Sequence, residues 1–147
     1  MPLPEPVPGL VISYAYLWRH EHEQGREEGR KVRPAVIVLA AGRGGNENGD
    51  IEVYVAPITH TPPPAPDIAV EIPLRVKQRL QLDDDRSWVI VNEVNRFIWP
   101  GVDPSPAPAT PGSAAYGMLP PALFRQIRDL FVRLARSGRA ASVRRTE

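Results

Sequence analysis

The stretch that decides the fold reads Arg33-Pro-Ala-Val-Ile-Val-Leu-Ala-Ala-Gly42, then Arg43-Gly-Gly-Asn-Glu-Asn-Gly-Asp50, then Ile51-Glu-Val-Tyr-Val-Ala-Pro-Ile-Thr-His60. Its two arms are rich in β-branched residues, which suit a pleated, half-buried surface, and Ile51-Glu-Val-Tyr-Val alternates with the two-residue period of a strand. The break from Gly42 to Asp50 holds four glycines and two asparagines, residues that accept the positive φ angles a chain reversal requires. The two arms are therefore expected to pair antiparallel. Runs of similar character lie at Leu10–Trp18, Ile68–Ile72 and Trp88–Trp99. Short strands divided by turn-forming breaks point to a mainly β domain, a compact barrel or strongly bent sheet.

Eighteen prolines punctuate the chain, clustered at Pro2 to Pro8, Pro62 to Pro66 and Pro104 to Pro111. Proline fixes φ and cannot donate to a ladder, so residues 1–8 read as a flexible proline-rich N-terminus, and 61–66 and 103–112 as loops. Leu74–Leu82 carries a weak signal for a short helix. The clearest helix follows Pro120: Leu123, Phe124, Ile127, Leu130, Phe131 and Leu134 recur at steps of three and four, with proline opening and Gly138 closing. An amphipathic C-terminal α-helix over about 121–137 is expected, its apolar stripe on the sheet and Arg125, Arg128, Arg133 and Arg136 facing water or a ligand. Residues 139–147 have little to bury and read as a flexible basic tail.

At 147 residues and 42% hydrophobic, the chain fits one domain with one core, spanning 9–138. It contains no cysteine, which excludes disulfide frameworks, thiolate metal sites and cysteine nucleophiles and agrees with a reducing compartment. No apolar run approaches the roughly 18 residues of a membrane span, and the N-terminus lacks the basic start and apolar run of a signal peptide. A cytoplasmic protein without membrane contact is expected. The net charge of +1 hides an asymmetry: Ala122–Glu147 carries seven Arg and two acids, net +5, and the remainder sums to −4. That basic segment suits phosphate, an acidic partner or simply a solvated helix face.

Four landmarks in order carry a family resemblance: Gly9-Leu-Val-Ile-Ser-Tyr, Arg33-Pro-Ala-Val-Ile-Val-Leu, Ala56-Pro-Ile-Thr-His, and Val89-Ile-Val-Asn-Glu-Val-Asn-Arg-Phe-Ile-Trp99, followed by Leu119-Pro-Pro-Ala-Leu at the last helix. The chain resembles the MazF/PemK-like toxins of bacterial toxin–antitoxin systems from about Gly9 to Gly138. The resemblance implies a compact SH3-like β-barrel with a C-terminal helix, of the kind shared with the gyrase-poisoning toxins. It also implies a homodimer, metal-independent cleavage of single-stranded RNA, and restraint by a cognate antitoxin protein. The family's catalytic arginine directly precedes the strand-opening proline and its catalytic Ser/Thr follows the Pro-x of the next strand, which places those roles on Arg33 and Thr59. His22-Glu23-Gln24-Gly25 resembles the family's acidic Glu-Gln stretch, although ten positions separate Glu23 from Arg33, more than is usual for the family. In the late strand Asn92, Glu93, Asn95 and Ile98 also depart from the family's pattern.

The residues suit that chemistry. Cleavage of RNA without a metal needs a base for the 2′-hydroxyl, a donor for the leaving 5′-oxygen, and positive charge on the phosphorane-like transition state. A guanidinium stays charged and offers a planar fork matched to phosphate oxygens, and Pro34 with its apolar strand gives Arg33 a rigid base; as a purely structural residue Arg33 would cap a strand or pair with Glu27 or Glu28. Thr59 can donate a hydroxyl to a phosphate oxygen, or serve only as a good β-former. His60, His22 and Glu23 are candidates for acid–base or substrate-binding roles. His60 shares a site with Thr59 only where the strand bends or ends, because neighbouring strand side chains face opposite ways. His20-Glu-His-Glu23 and Asp83-Asp-Asp85 lack the spacing of a recognisable metal site, and no metal or cofactor is expected. Trp18, Trp99 and Tyr16 suit either base stacking or the core. Two other functions compete: a barrel that binds nucleic acid or protein without catalysis, and a gyrase-directed toxin.

Overall fold

In the computed structural model, residues 5–16, 31–42, 51–99 and 115–144 are described. Val36, Ile37 and Val38 are all buried, so this run sits in a sheet covered on both faces, as an uninterrupted apolar stretch requires. The elements in chain order are β1 (Leu10–Tyr16), β2 (Lys31–Gly42), β3 (Ile51–Thr59), a 3₁₀ turn (Pro66–Ile68), β4 (Ala69–Glu71) and α1 (Leu74–Arg79), followed by β5 (Trp88–Ile90), β6 (Glu93–Trp99), β7 (Ala115–Met118), α2 (Pro121–Arg136) and β8 (Ala141–Arg144). Among the described residues the strands form one sheet in the order β4-β5-β3-β2-β1-β7, with β6 on the free half of β3 and β8 beside β6. That path does not close. The domain is mainly β, nearly all antiparallel, with a long helix near its C-terminus.

The hairpin expected across Gly42–Asp50 is present, with β2 and β3 paired from Gly42↔Ile51 to Ala35↔Pro57; residues 43–50 lie outside the described set. β3 is a branch point. Its Ile51–Val55 half pairs with β6 and its Ile58–Thr59 end with β5, leaving Ala56 and Pro57 unpaired on that edge, where a proline is tolerated. The other edge of β3 stays with β2 only as far as Pro57, and β2 continues against β1 alone from Pro34 to Lys31. The ends of β2 and β3 thus part.

Two apolar clusters fill the two faces. One joins Val11, Val36, Val38, Ala56, Ile58, Val89 and Val91 to Leu123, Ile127 and Leu134 of α2; the other gathers Leu10, Ile12, Ile37, Val53, Val55, Phe97 and Trp99. Trp99 belongs to the core, its ring 6.2 Å from that of Phe97. The helix reads as its periodicity predicts. It ends in a Schellman turn, with Gly138 at φ 72 and Arg139 N donating to Leu134 O at 2.8 Å.

Several expectations need correction. The run Trp88–Trp99 is two strands broken at Val91–Asn92, and Ile68 lies in the 3₁₀ turn rather than in β4. Residues 5–8 are not a free leader: Pro6 is buried, Val7 packs on the second cluster, and Leu10 N donates to Val7 O through a turn that places Gly9 at φ 95. Residues 139–144 are not a free tail either. β8 adds parallel to β6, Val143 is buried, and Arg139 pairs with Asp67 at 2.7 Å; a single apolar side chain suffices because the neighbouring strand supplies the backbone partners. β7 was not anticipated. The loop 103–112 and residues 145–147 lie outside the described set, and among the described residues no helix is long and apolar enough to cross a membrane.

Candidate functional site

Where β2 and β3 part, a cavity of about 360 Å³ opens. One wall is Arg33 and Pro34 from β2 with Ile58, Thr59, His60 and Thr61 from the end of β3; the other is Lys77 of α1 with Leu82, Asp83 and Ser87 from the connection to β5. Arg33 and Thr59 each lie two residues beyond the last β2–β3 pair, Ala35↔Pro57, where the two strands have parted. Two residues 26 positions apart in sequence therefore meet at one opening. Arg33 is half-buried, with its Nε shielded from solvent.

β3 ends at Thr59, which lifts the alternation that would have sent Thr59 and His60 to opposite faces. The end is made locally: Thr61 N donates to Thr59 Oγ1 at 3.1 Å, after which Pro62, Pro63 and Pro64 lead the chain away. Accepting that bond leaves the Thr59 hydroxyl proton free to be donated.

The opposite wall was not foreseen as part of a site. Lys77 is 1% exposed, one of the largest fully buried side chains among the described residues. Its Nζ donates to Asp83 Oδ1 at 2.7 Å, and Asp83 Oδ2 lies 2.6 Å from His60 Nε2. Asp85 N also donates to Asp83 Oδ1, at 3.1 Å. A Schellman turn at the end of α1 brings these groups together: Leu82 N donates to Lys77 O at 2.9 Å and Gln81 N to Gln78 O at 3.1 Å, with Gln81 left-handed at φ 59. Partial burial pushes the Asp83 carboxyl up, but the Lys77 hydrogen bond and the charges of His60 and Lys77 outweigh it and hold the group below the ordinary aspartate range.

The rest of this connection is pinned from outside. Arg86 grips Glu71 with two bonds of 2.8 Å and lies 5.0 Å from the centre of the Trp88 ring, while Ile72 N donates to Ser87 O. His60, Asp83 and Asp85 offer ligand atoms within 4.8 Å of one another, yet both oxygens of Asp83 are already engaged by Lys77 and His60.

Of the sequence-derived candidates, the fold brings Arg33, Thr59 and His60 to one cavity; His22 and Glu23 lie outside the described residues. Lys77, Asp83 and Ser87 join them. Chemically the site combines two cations, a hydroxyl donor and an imidazole–carboxylate pair around a space sized for a small polar group. No family model matches the chain, and no match was found among curated proteins or solved structures.

Proposed function

We propose that the chain is a toxin-like, metal-independent endoribonuclease of the MazF/PemK type, cleaving single-stranded RNA through attack of the 2′-hydroxyl on the adjacent phosphate. The observation that carries this is the meeting of Arg33 and Thr59 at one cavity, since the two were singled out by motif alone and lie far apart in the chain. In the reaction the Arg33 guanidinium binds non-bridging oxygens of the scissile phosphate and stabilises the charge that builds there. The Thr59 hydroxyl donates to the same group. Lys77, buried in the cavity wall, is paired with Asp83 and holds that carboxylate in place.

The bent, branched sheet with α2 packed on one face is compatible with an SH3-like barrel, and that architecture is part of the proposal. So are a homodimer, a cytoplasmic site of action, and restraint by an antitoxin whose acidic segment would compete with RNA for the same cations.

The test is incubation of the protein and its Arg33→Ala variant with long single-stranded RNA in excess EDTA, with mapping of the product ends. Cuts at a short recurring motif, leaving cyclic phosphate and 5′-hydroxyl ends and slowed about 10²–10³-fold or more in the variant, are expected. Intact RNA, or cleavage unaffected by the substitution, would overturn the proposal and favour a non-catalytic binding role.

A further inference from the structure

We infer that His60 is the general base of this site and Asp83 its positioning residue, an assignment that rests on the ribonuclease function proposed above. Arg33 and Thr59 account for binding and charge stabilisation but leave the 2′-hydroxyl proton without an acceptor. The imidazole lining the same cavity supplies one. Asp83 Oδ1 accepts from Lys77 Nζ at 2.7 Å and from Asp85 N at 3.1 Å, so the carboxylate is an anion held by two donors before the imidazole is considered. Its other oxygen, 2.6 Å from His60 Nε2, can only accept, and Nε2 must therefore carry the hydrogen.

That arrangement fixes the tautomer: the neutral ring keeps its lone pair on Nδ1. When Nδ1 takes a proton, the resulting imidazolium faces a carboxylate that stabilises it. Asp83 is itself constrained, because turning away would strand an ammonium that is 1% exposed. The imidazole is 53% exposed and open to a substrate.

In the step, Nδ1 takes the 2′-hydroxyl proton as the O2′–P bond forms and the P–O5′ bond breaks. The electron pair of the broken bond stays on O5′, which takes a proton from water, and the proton on Nδ1 returns to solvent. The charged and titratable groups around His60 are Arg33 on β2, Lys77 on α1, and Asp83 and Asp85 on the connection to β5; Tyr116 on β7, its phenol pushed up chiefly by burial, feels the Asp83 charge.

Two measurements on the full chain test the assignment. The first is ¹⁵N-resolved NMR of the imidazoles, with His60→Ala identifying the His60 signals among the three histidines. The neutral ring is expected as the Nε2–H form in the wild type, with that preference weakened in Asp83→Asn. A dominant Nδ1–H form would overturn the inference without any RNA present.

The second is the single-turnover cleavage rate against pH. His60→Ala is expected to lose about 10²–10⁴-fold, with partial recovery on adding free imidazole. Asp83→Asn is expected to lose about tenfold or more together with the weakened Nε2–H preference seen by NMR; a merely structural role would lower the rate without changing the tautomer. A wild-type profile reproduced by His60→Ala, beside an Arg33→Ala variant that is dead, would refute the base and leave the ribonuclease function standing. A wild type that cuts no RNA would remove both.

Discussion

Lys77 is the least expected side chain in the core, and its tolerance rests on one carboxylate. In Asp83→Ala the Nζ loses its 2.7 Å partner while the stem stays at 1% exposure. Breaking a buried pair in this way typically costs about 3–5 kcal/mol. Asp83 is half exposed, so water can enter where the carboxylate was, and about 2–3 kcal/mol is the better expectation. Lys77→Met keeps the apolar stem and removes the buried charge; Asp83 then retains His60, the Asp85 amide and solvent, and stability should change by no more than about 1 kcal/mol in either direction. The double variant should therefore regain most of what Asp83→Ala loses, a coupling of about 2 kcal/mol in a double-mutant cycle. Urea unfolding at pH 7 reads this directly, with Asp83→Ala lowering the midpoint by roughly 1–2 M for a domain of this size. Additive single effects, or an Asp83→Ala midpoint within about 0.3 M of wild type, would refute the dependence of the buried ammonium on Asp83.

Other outcomes follow from the same structure. Gln81 adopts a left-handed φ of 59 at a position glycine favours, so Gln81→Gly should raise the unfolding free energy by about 0.5–1 kcal/mol, and a loss of stability would count against the turn. Ile127 is fully buried between α2 and the sheet, and Ile127→Ala should cost about 2–5 kcal/mol in the same urea assay; an effect under about 1 kcal/mol would place α2 off the sheet. The carboxyls of Asp67, held down chiefly by the Arg139 hydrogen bond, of Glu71, held down chiefly by Arg86, and of Asp83 all titrate below their ordinary values of 3.8, 4.5 and 3.8. For groups lowered on folding, the stabilising contribution is complete above the ordinary value and disappears as pH falls through the lowered one. The midpoint should therefore hold from pH 7 to about 5 and decline below about 4, and a flat profile to pH 3 would contradict the three ion pairs.

What could be read from sequence and what could not divide along a physical line. The β2–β3 hairpin and α2 were legible because their signals are local, a period of two with a glycine-rich reversal in one case and steps of three and four with proline and glycine ends in the other. That Arg33 and Thr59 belong together was legible only through motif order, and the cavity they share, opened where β2 and β3 part, needed the fold. β8 gave no periodicity because four residues with one large apolar side chain, Val143, carry none; the edge of β6 supplies what the strand itself lacks.

The unforeseen half of the site is the more instructive. In α1, Val76, Lys77 and Leu80 form one inward-facing stripe, with Leu80 buried in the first cluster and Val76 packed against it. Lys77 thus occupies a core position of a six-residue helix. A lysine in an apolar stripe is usually dismissed because its stem can bend to water. Here Asp83 stands six residues on, across a Schellman turn that returns the chain toward the lysine. An ionisable residue on a helix's apolar stripe, with an acid just beyond the helix end, is a pattern that can be sought in sequence. It marks a place where a charge has been brought inward together with its counter-charge, and such places are disproportionately functional. In this chain that pattern would have led from α1 to Asp83 and from Asp83 to His60, approaching the Arg33–Thr59 cavity from its other wall.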